Sequence, residues 1–504
     1  MNTFKKKSLY AAVAGLGALT AAGMAQAVNV NPDGLGQVLI YPYYTVRSTA
    51  SGAAYNSLLS VVNSTASAKA VKVRFLEGNN SREVLDFNLF LSAHDVWVAA
   101  VLPTASGAGV YTPDNSCTVP AVSKDPANPT NFVNFAYTGA SNADGGDTSL
   151  DRTREGYVEI IEMADIIAGT PTFTTVTHVS SVPPCKASIL QSPSLTTVNP
   201  QLAADTTVGS GGLFGGITLI SALAPSDVGT EATALDAFTQ TKLLFPEGSI
   251  LPNLSQVNPA VSVVTSGSST WITAWNPLGN PTDAVSAVLM HNNVYNEFVL
   301  DTPTASGTDW VLTMPTKWSY YGGGQIVDSG TGDVVGVALT PGQTLFQRNF
   351  MSGKACDDVG ITRFDREENT VQSQTTFSPP PPTQTDSVCY EANVITFNNS
   401  NVLASKNVAN IPTTFQNGWA GLNFALTSTG KHTLVGGATT TFNTTTGTTG
   451  AQAATTFVGL PTVGFAVETF NNGTLTDTAG NKVNSAYAGR FAHRFTRSIT
   501  PVAP

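Results

Sequence analysis

Between residues 71 and 75 the chain alternates strictly. Val71, Val73 and Phe75 are apolar, and Lys72 and Arg74 sit between them. A period of two places the apolar side chains on one face of a strand and the charges on the other. Similar runs of five to seven residues recur with turn signals between them, the rhythm of antiparallel sandwiches. The expected class is therefore all-β, built as tandem antiparallel β-sandwich (Ig-like) domains. Beyond the first 27 residues no stretch keeps the i, i+3, i+4, i+7 spacing over three turns, so helices should be scarce. One run breaks the alternation: QVLIYPYYTVR, residues 37–47. Three readings compete for it. Its tyrosines Tyr41, Tyr43 and Tyr44 could stack on sugar rings, or the segment could complete a neighbour's sheet as a donor strand. As core, Val38 and Ile40 face one way, Leu39 and Tyr41 the other, and Pro42 ends the regular ladder. Continuous apolar runs mark buried strands, so core is the expectation.

Two long segments align with one another. Residues 57–103 and 270–315 match at Asn63 and Asn276, at Val84-Leu85-Asp86 and Val299-Leu300-Asp301, at Trp97 and Trp310, and at Pro103 and Pro315. Each carries an Asn-Asn pair, Asn79-Asn80 and Asn292-Asn293, where a hairpin turn is expected. Fainter matches follow in the same order: 155–163 with 389–397, 212–220 with 418–426, and 234–238 with 467–470. An internal duplication is expected, with the boundary near ILPNLSQVNPA (250–260). That gives domains at 28–255 and 256–504, each of a size suited to one core. The alternative is a single large sandwich whose copies supply facing sheets. SPPPP (378–382) is expected to be an extended loop, since proline fixes φ and lacks a donor. The threonine-rich stretch 439–456 should be an exposed loop or a weak hairpin.

The N-terminus changes where this fold is expected to live. Lys5, Lys6 and Lys7 precede an apolar stretch from Leu9 to Met24, and Ala25-Gln26-Ala27 supplies small residues for cleavage, so residues 1–27 read as a signal peptide. No other long apolar run follows, so no transmembrane span is expected. Of 24 basic residues three lie in this leader, which has no acid; 21 basic against 34 acidic residues leave a formal charge of −13. That balance argues against nucleic acid and against an electrostatic grip on anionic lipid. An outer-membrane barrel would need strands of about ten residues with lipid-facing bands and aromatic girdles; the sequence ends in ITPVAP without the terminal aromatic typical of that class, and disulfides are unusual there, so a barrel is not expected.

Four cysteines, Cys117, Cys185, Cys356 and Cys389, in an exported chain read as two disulfides. Sequence permits three connectivities; Cys117–Cys185 with Cys356–Cys389 is preferred because each pair stays within one half. No CxxC spacing supports redox or zinc chemistry.

The blocks QVLIYPYYTVR, EFVLDTPTASGTDWVLTMPTKW and ANVITFNNSNVLAS resemble those of an uncharacterised family of exported proteobacterial proteins, described as hypothetical or cell-surface proteins. The resemblance runs along most of the chain after the leader. It implies a Gram-negative bacterial protein of the cell surface, the extracellular space or the periplasm. It implies no activity, cofactor or catalytic residue.

Candidate chemistry is thin. The histidines His94, His178, His291, His432 and His493 form no metal-ligand spacing and are expected to be structural or superficial. No GxSxG elbow or Walker loop occurs. GSGGLFGG (209–216) leads into the strand-like ITLI, whereas a phosphate cradle needs a helix N-terminus. Glu159 and Glu162, like Glu83 and Asp86, are three apart and should face opposite ways on a strand, so neither makes a glycosidase pair. SNADGGDTSLDR (141–152) gathers Asp144, Asp147 and Asp151 in a glycine-containing loop, a weak calcium candidate. No other cofactor is expected. The expectation is a secreted or cell-surface structural or interaction protein that is not an enzyme, with a surface partner, self-association or a glycan as its target. The alternative is a carbohydrate-binding protein with or without glycoside hydrolase activity.

Overall fold

The run VLIYPYYT forms an eight-residue strand in the computed structural model, and all eight residues are buried. The structure describes residues 27–49, 52, 54–221, 226–276, 279–370, 386–425 and 430–502; residues 1–26, where a signal peptide is expected, and the SPPPP stretch lie outside these. Strands account for 48% of the chain and helices for 9%, and nearly all ladders are antiparallel. The protein is all-β and carries two disulfides.

The strands that position the site are β1 (Asn29–Val30), β2 (Val38–Thr45), β3 (Tyr55–Asn63), β4 (Ala68–Glu77), β5 (Glu83–Leu91), β6 (Val96–Pro103), β7 (Ala108–Tyr111), β8 (Cys117–Val119), β9 (Thr130–Asn131), β10 (Glu155–Ile166), β11 (Thr206–Thr207), β12 (Leu213–Ser221), β13 (Ser226–Glu231) and β14 (Thr233–Asp236). The first sheet runs β1-β14-β2-β10-β4-β5-β8, with β11 on the end of β10; the second runs β13-β12-β3-β6-β7-β9. A third sheet orders the strands Val408–Ile411, Ala392–Phe397, Gly307–Thr313, Val463–Thr476 and Lys482–Ala492. Its one parallel ladder joins the first two of these. A fourth sheet includes Asp357–Phe364, Asn417–Asn423, Asn293–Val299 and Arg494–Thr496.

Strand β2 shows how the sequence sets this arrangement. Leu39 and Tyr41 enter one core with Phe75, Trp97 and Ile217, and the third sheet adds Val311 and Phe465 to it. Val38 and Ile40 enter another with Tyr157, Trp310, Leu312 and Phe298. A strand buried on both faces must be apolar at every position, which is why this run does not alternate. Pro42 does not end the strand. Pro42 and Tyr43 stand opposite the single residue Tyr157, so the missing N–H falls in a bulge and the ladder resumes at Tyr44. The freed Pro42 carbonyl accepts a hydrogen bond from Thr313 Oγ1.

The second core crosses the stretch at 250–260, where Leu254 and Val257 are themselves buried in it. Cys117–Cys185 and Cys356–Cys389 are bonded, with sequence separations of 68 and 33. Loops of that length are worth about 4 kcal/mol each in the chain-entropy picture. Two local expectations fail. Asp283–Leu289, aligned with part of β4, is a helix, because DAVSAVL is apolar without alternation and is buried nearly all round. Two turns are too short to leave a three-turn signature. Asn79-Asn80 makes the β4–β5 turn, but Asn293 opens a strand rather than a hairpin turn. The threonine-rich stretch is a hairpin, Thr439–Asn443 against Thr449–Gln452.

Candidate ligand groove on the second sheet

Strand β3 buries Tyr55, Ser57, Leu59 and Val61 and turns Asn56, Leu58, Ser60 and Val62 outward. Its neighbours β6 and β12 do the same with Val96 and Val98, and with Phe214, Gly216 and Thr218. Register then lines these side chains up in rows. Tyr111, Ala100, Leu58, Thr218 and Gly229 form one row across β7, β6, β3, β12 and β13, and Val98, Ser60, Gly216 and Glu231 form the next. The outward face is unusually apolar: Leu58 is 41% exposed, Val96 46%, Val98 37% and Phe214 42%. Single exposed apolar residues are ordinary, whereas a contiguous patch marks a contact surface.

The face is concave. A groove of about 690 Å³ runs over it, floored by Leu58, Ser60, Ala100 and Gly216, with Tyr111 and Pro113 at one side and Glu231 and Arg490 at the other. Glu231 is the single carboxylate among the lining residues, and Arg490 the single cation. Burial beside this apolar wall holds the Arg490 guanidinium below its usual range, and Glu231 partly offsets that. Of the glycines in 209–216, Gly215 and Gly216 lie in this sheet. A Cβ on Gly215 would come 2.1 Å from the Ser60 carbonyl and 2.3 Å from the Tyr41 hydroxyl, which donates to that carbonyl at 2.7 Å. The following ITLI is strand β12, as its pattern implies.

No family model matches the chain, and no curated protein or solved structure matches it. Among the described residues no helix is long and apolar enough to cross a membrane.

The carboxylates singled out in the sequence lie away from the groove. Asp144 is buried and held by Arg152 at 2.6 and 3.0 Å, with Asn80 at 3.1 Å. Asp147 accepts from the Ser149 backbone and hydroxyl, both at 2.8 Å. Asp151 meets Arg47 at 2.6 Å and Lys406 at 2.7 Å, which keep its carboxyl down at about 2. The three therefore have separate partners, and no group of three His, Cys, Asp or Glu side chains among the described residues gathers to hold a metal ion.

Glu159 and Glu162 are bound by different cations, Arg74 and Lys69. Glu83 and Asp86 depart from the expectation. The β4–β5 register slips beside Val84, so Glu83 reaches Arg74 at 2.7 Å while Asp86 pairs with Lys72, and both join Glu159 in one polar cluster. This cluster is enclosed by the protein and does not line the groove. Of the histidines, His94 is exposed and His178 is half-buried beside Asp95. His432 is buried against Asp357 and the Phe424 carbonyl. His291 and His493 come together in a separate cavity, a convergence that no spacing in the sequence signals.

The buried acids set a pH dependence. Glu391 and Glu468 each keep one carboxylate oxygen without a donor, and burial pushes them up to about 8 and about 7. Between the ordinary value of 4.5 and those folded values, the native state holds protons that the unfolded chain has released. Stability must then fall as pH rises through that window. Asp144, Asp151 and Asp165 act oppositely: their cations hold them low, so they lose stability as pH drops below about 4. The melting temperature is expected to peak near pH 5 and decline towards pH 8. Glu391→Gln should flatten the decline; thermal melts of both proteins that rise steadily to pH 8 would contradict it.

Proposed function

We propose that this chain is an exported protein of the Gram-negative cell surface that acts by association rather than by catalysis, and that the groove on the second sheet receives another copy of the chain. The observation that carries this reading is the exposed apolar patch of Leu58, Val96, Val98 and Phe214, of which Leu58 and Val98 line a groove with a single carboxylate among its lining residues. Hydrolysis of a glycosidic bond needs two carboxyls. An aliphatic floor also suits protein side chains better than sugars, which favour flat aromatic rings. The chain carries a complementary element. Beyond Thr469 the hairpin Val463–Thr476/Lys482–Ala492 pairs with no other strand among the described residues, forming an arm on which Leu475 is 56% and Tyr487 52% exposed. Tyr487 stacks on Phe470 at 5.0 Å, which stiffens the base of the arm. Arm into groove is a head-to-tail contact, and such contacts propagate unless they close into a ring. The two disulfides fit an oxidising compartment.

Sedimentation velocity on residues 28–504 over a concentration series tests this. Reversible assembly is expected, with Leu58→Glu and Leu475→Glu each remaining monomeric at an unchanged melting temperature. A native chain that stays monomeric throughout would overturn the reading. A glycan-binding role has its own support on the fourth sheet, where Trp419 is 41% exposed, stacked on Phe364 at 4.7 Å and flanked by Tyr295 at 6.2 Å. A monomeric chain with saturable polysaccharide binding that Trp419→Ala removes would favour that role instead.

A further inference from the structure

The fully buried cations among the described residues all face carboxylates. Arg47 meets Glu155, Lys69 meets Glu162, Arg74 meets Glu83, Arg152 meets Glu77 and Lys317 meets Asp357, each within 3 Å, and Lys72 meets Asp86. Arg497 is placed differently. It is partly buried, lines a cavity of about 160 Å³, and no described carboxylate forms an ion pair with it. Its Nη1 donates to the Met290 carbonyl and its Nη2 to the Val288 carbonyl, both at 2.8 Å, where the helix Asp283–Leu289 ends. Those contacts use two of the five guanidinium donors, and the negative end of a two-turn helix offsets only part of the charge.

Two more basic groups line the same cavity. His493 has Nε2 3.0 Å from the Val311 carbonyl and Nδ1 3.2 Å from Asn296 Nδ2. The Val311 contact makes Nε2 the protonated nitrogen, and burial pushes the ring down to about 4. His291 has Nδ1 3.0 Å from Thr462 Oγ1, and its ring lies 4.0 Å from Phe495, over which Arg497 also sits at 5.3 Å. Burial and the neighbouring Arg497 hold His291 well below its usual value. In a chain with more acids than bases, one guanidinium and two imidazoles thus share a cavity lined by no acid. The rest of the wall is largely apolar, with Val30, Val294, Leu312 and Val463 among its residues. A cation partly withdrawn from water beside apolar walls gains from an anion that pairs with it.

We propose that this cavity is a binding site for a small organic carboxylate, with the carboxylate on Arg497 and His291 and a short alkyl chain against Val30, Val294 and Leu312. A cavity of about 160 Å³ admits acids the size of acetate to butyrate. An apolar wall favours such a ligand over inorganic phosphate, whose oxygens would need more donors than the cavity presents. The site is independent of the groove and of any self-association.

Calorimetric titration of butyrate into residues 28–504 tests the assignment. Saturable one-to-one binding with a Kd of about 1 mM or below is expected, and butyrate should raise the melting temperature more than sodium chloride at equal ionic strength. Arg497→Gln should weaken binding tenfold or more. Because Arg497 also closes a helix, Val30→Phe provides a second variant that leaves the guanidinium in place and fills the alkyl end; it should melt like the parent and lose butyrate. Absence of saturable binding would overturn the proposal and leave Arg497 as a helix cap. Unchanged affinity in both variants, or phosphate bound as tightly as butyrate, would overturn it equally.

Discussion

Removal of residues 28–47 is expected to abolish folding. The segment contains β2, which lies between β14 and β10 in the middle of the first sheet. Its loss strips the partner from both neighbours and removes Val38, Leu39, Ile40, Tyr41, Tyr43 and Tyr44, all fully buried. At about 1.5–3 kcal/mol for each large side chain, six amount to roughly 9–18 kcal/mol, as much as the entire net stability of an ordinary domain. The tyrosines are also anchored: Tyr43 donates to Glu155 at 2.8 Å and Tyr44 to the Thr153 carbonyl at 3.1 Å. Residues 48–504 should therefore be recovered aggregated or without a cooperative melt by circular dichroism. A soluble, cooperatively melting monomer would show the segment to be dispensable, as a mobile donor strand would be. A milder change in the same strand, Leu39→Ala, should cost about 2–5 kcal/mol in denaturant unfolding.

The second large effect is expected at Arg152. Its guanidinium bridges Glu77, at 2.7 and 2.9 Å, and Asp144, and it lies 4.3 Å from the centre of the Tyr137 ring. All three charged side chains are almost wholly enclosed. Arg152→Ala would leave two buried carboxylates without their shared cation, a change that costs about 3–5 kcal/mol. Arg152→Lys should recover part of this and not all, because an ammonium cannot present two forks of donors at once. Urea titrations of the three proteins at pH 7 provide the comparison. The deficit should shrink at pH 4, because the Asp144 carboxyl, no longer held low by Arg152, can take up a proton there. A loss below 1 kcal/mol at pH 7 would show that the network adds nothing to the fold.

Much of this fold is legible in local alternation, and the failures share one cause. The faces of β2 and β4 are as the pattern implies, with Leu39 and Tyr41 opposite Val38 and Ile40, and with Val71, Val73 and Phe75 opposite Lys72 and Arg74. Alternation says which residues share a face but not what later covers it. The pattern therefore puts Lys72 and Arg74 on one face without showing that other parts of the protein bury them. A single extra residue defeats the rule as well: the bulge beside Val84 brings Glu83 and Asp86 to one side, and the bulge at Pro42 lets the strand continue. The groove left a trace. Val96-Trp97-Val98 is apolar on both faces of one strand, yet only Trp97 is buried, and that surplus marks an outer face with more apolar area than a solvated sheet needs. The cavity at Arg497 left none, because His291, His493 and Arg497 meet through tertiary packing.

The claim that the chain associates arm to groove is tested most directly by mixing Leu58→Glu with Leu475→Glu and measuring mass by light scattering. Each variant keeps one intact half of the contact, so each alone should be monomeric. The mixture should form a one-to-one complex that grows no further, while the parent protein forms longer species. Two variants that remain monomeric when mixed, or a parent protein that is itself monomeric, would contradict the account.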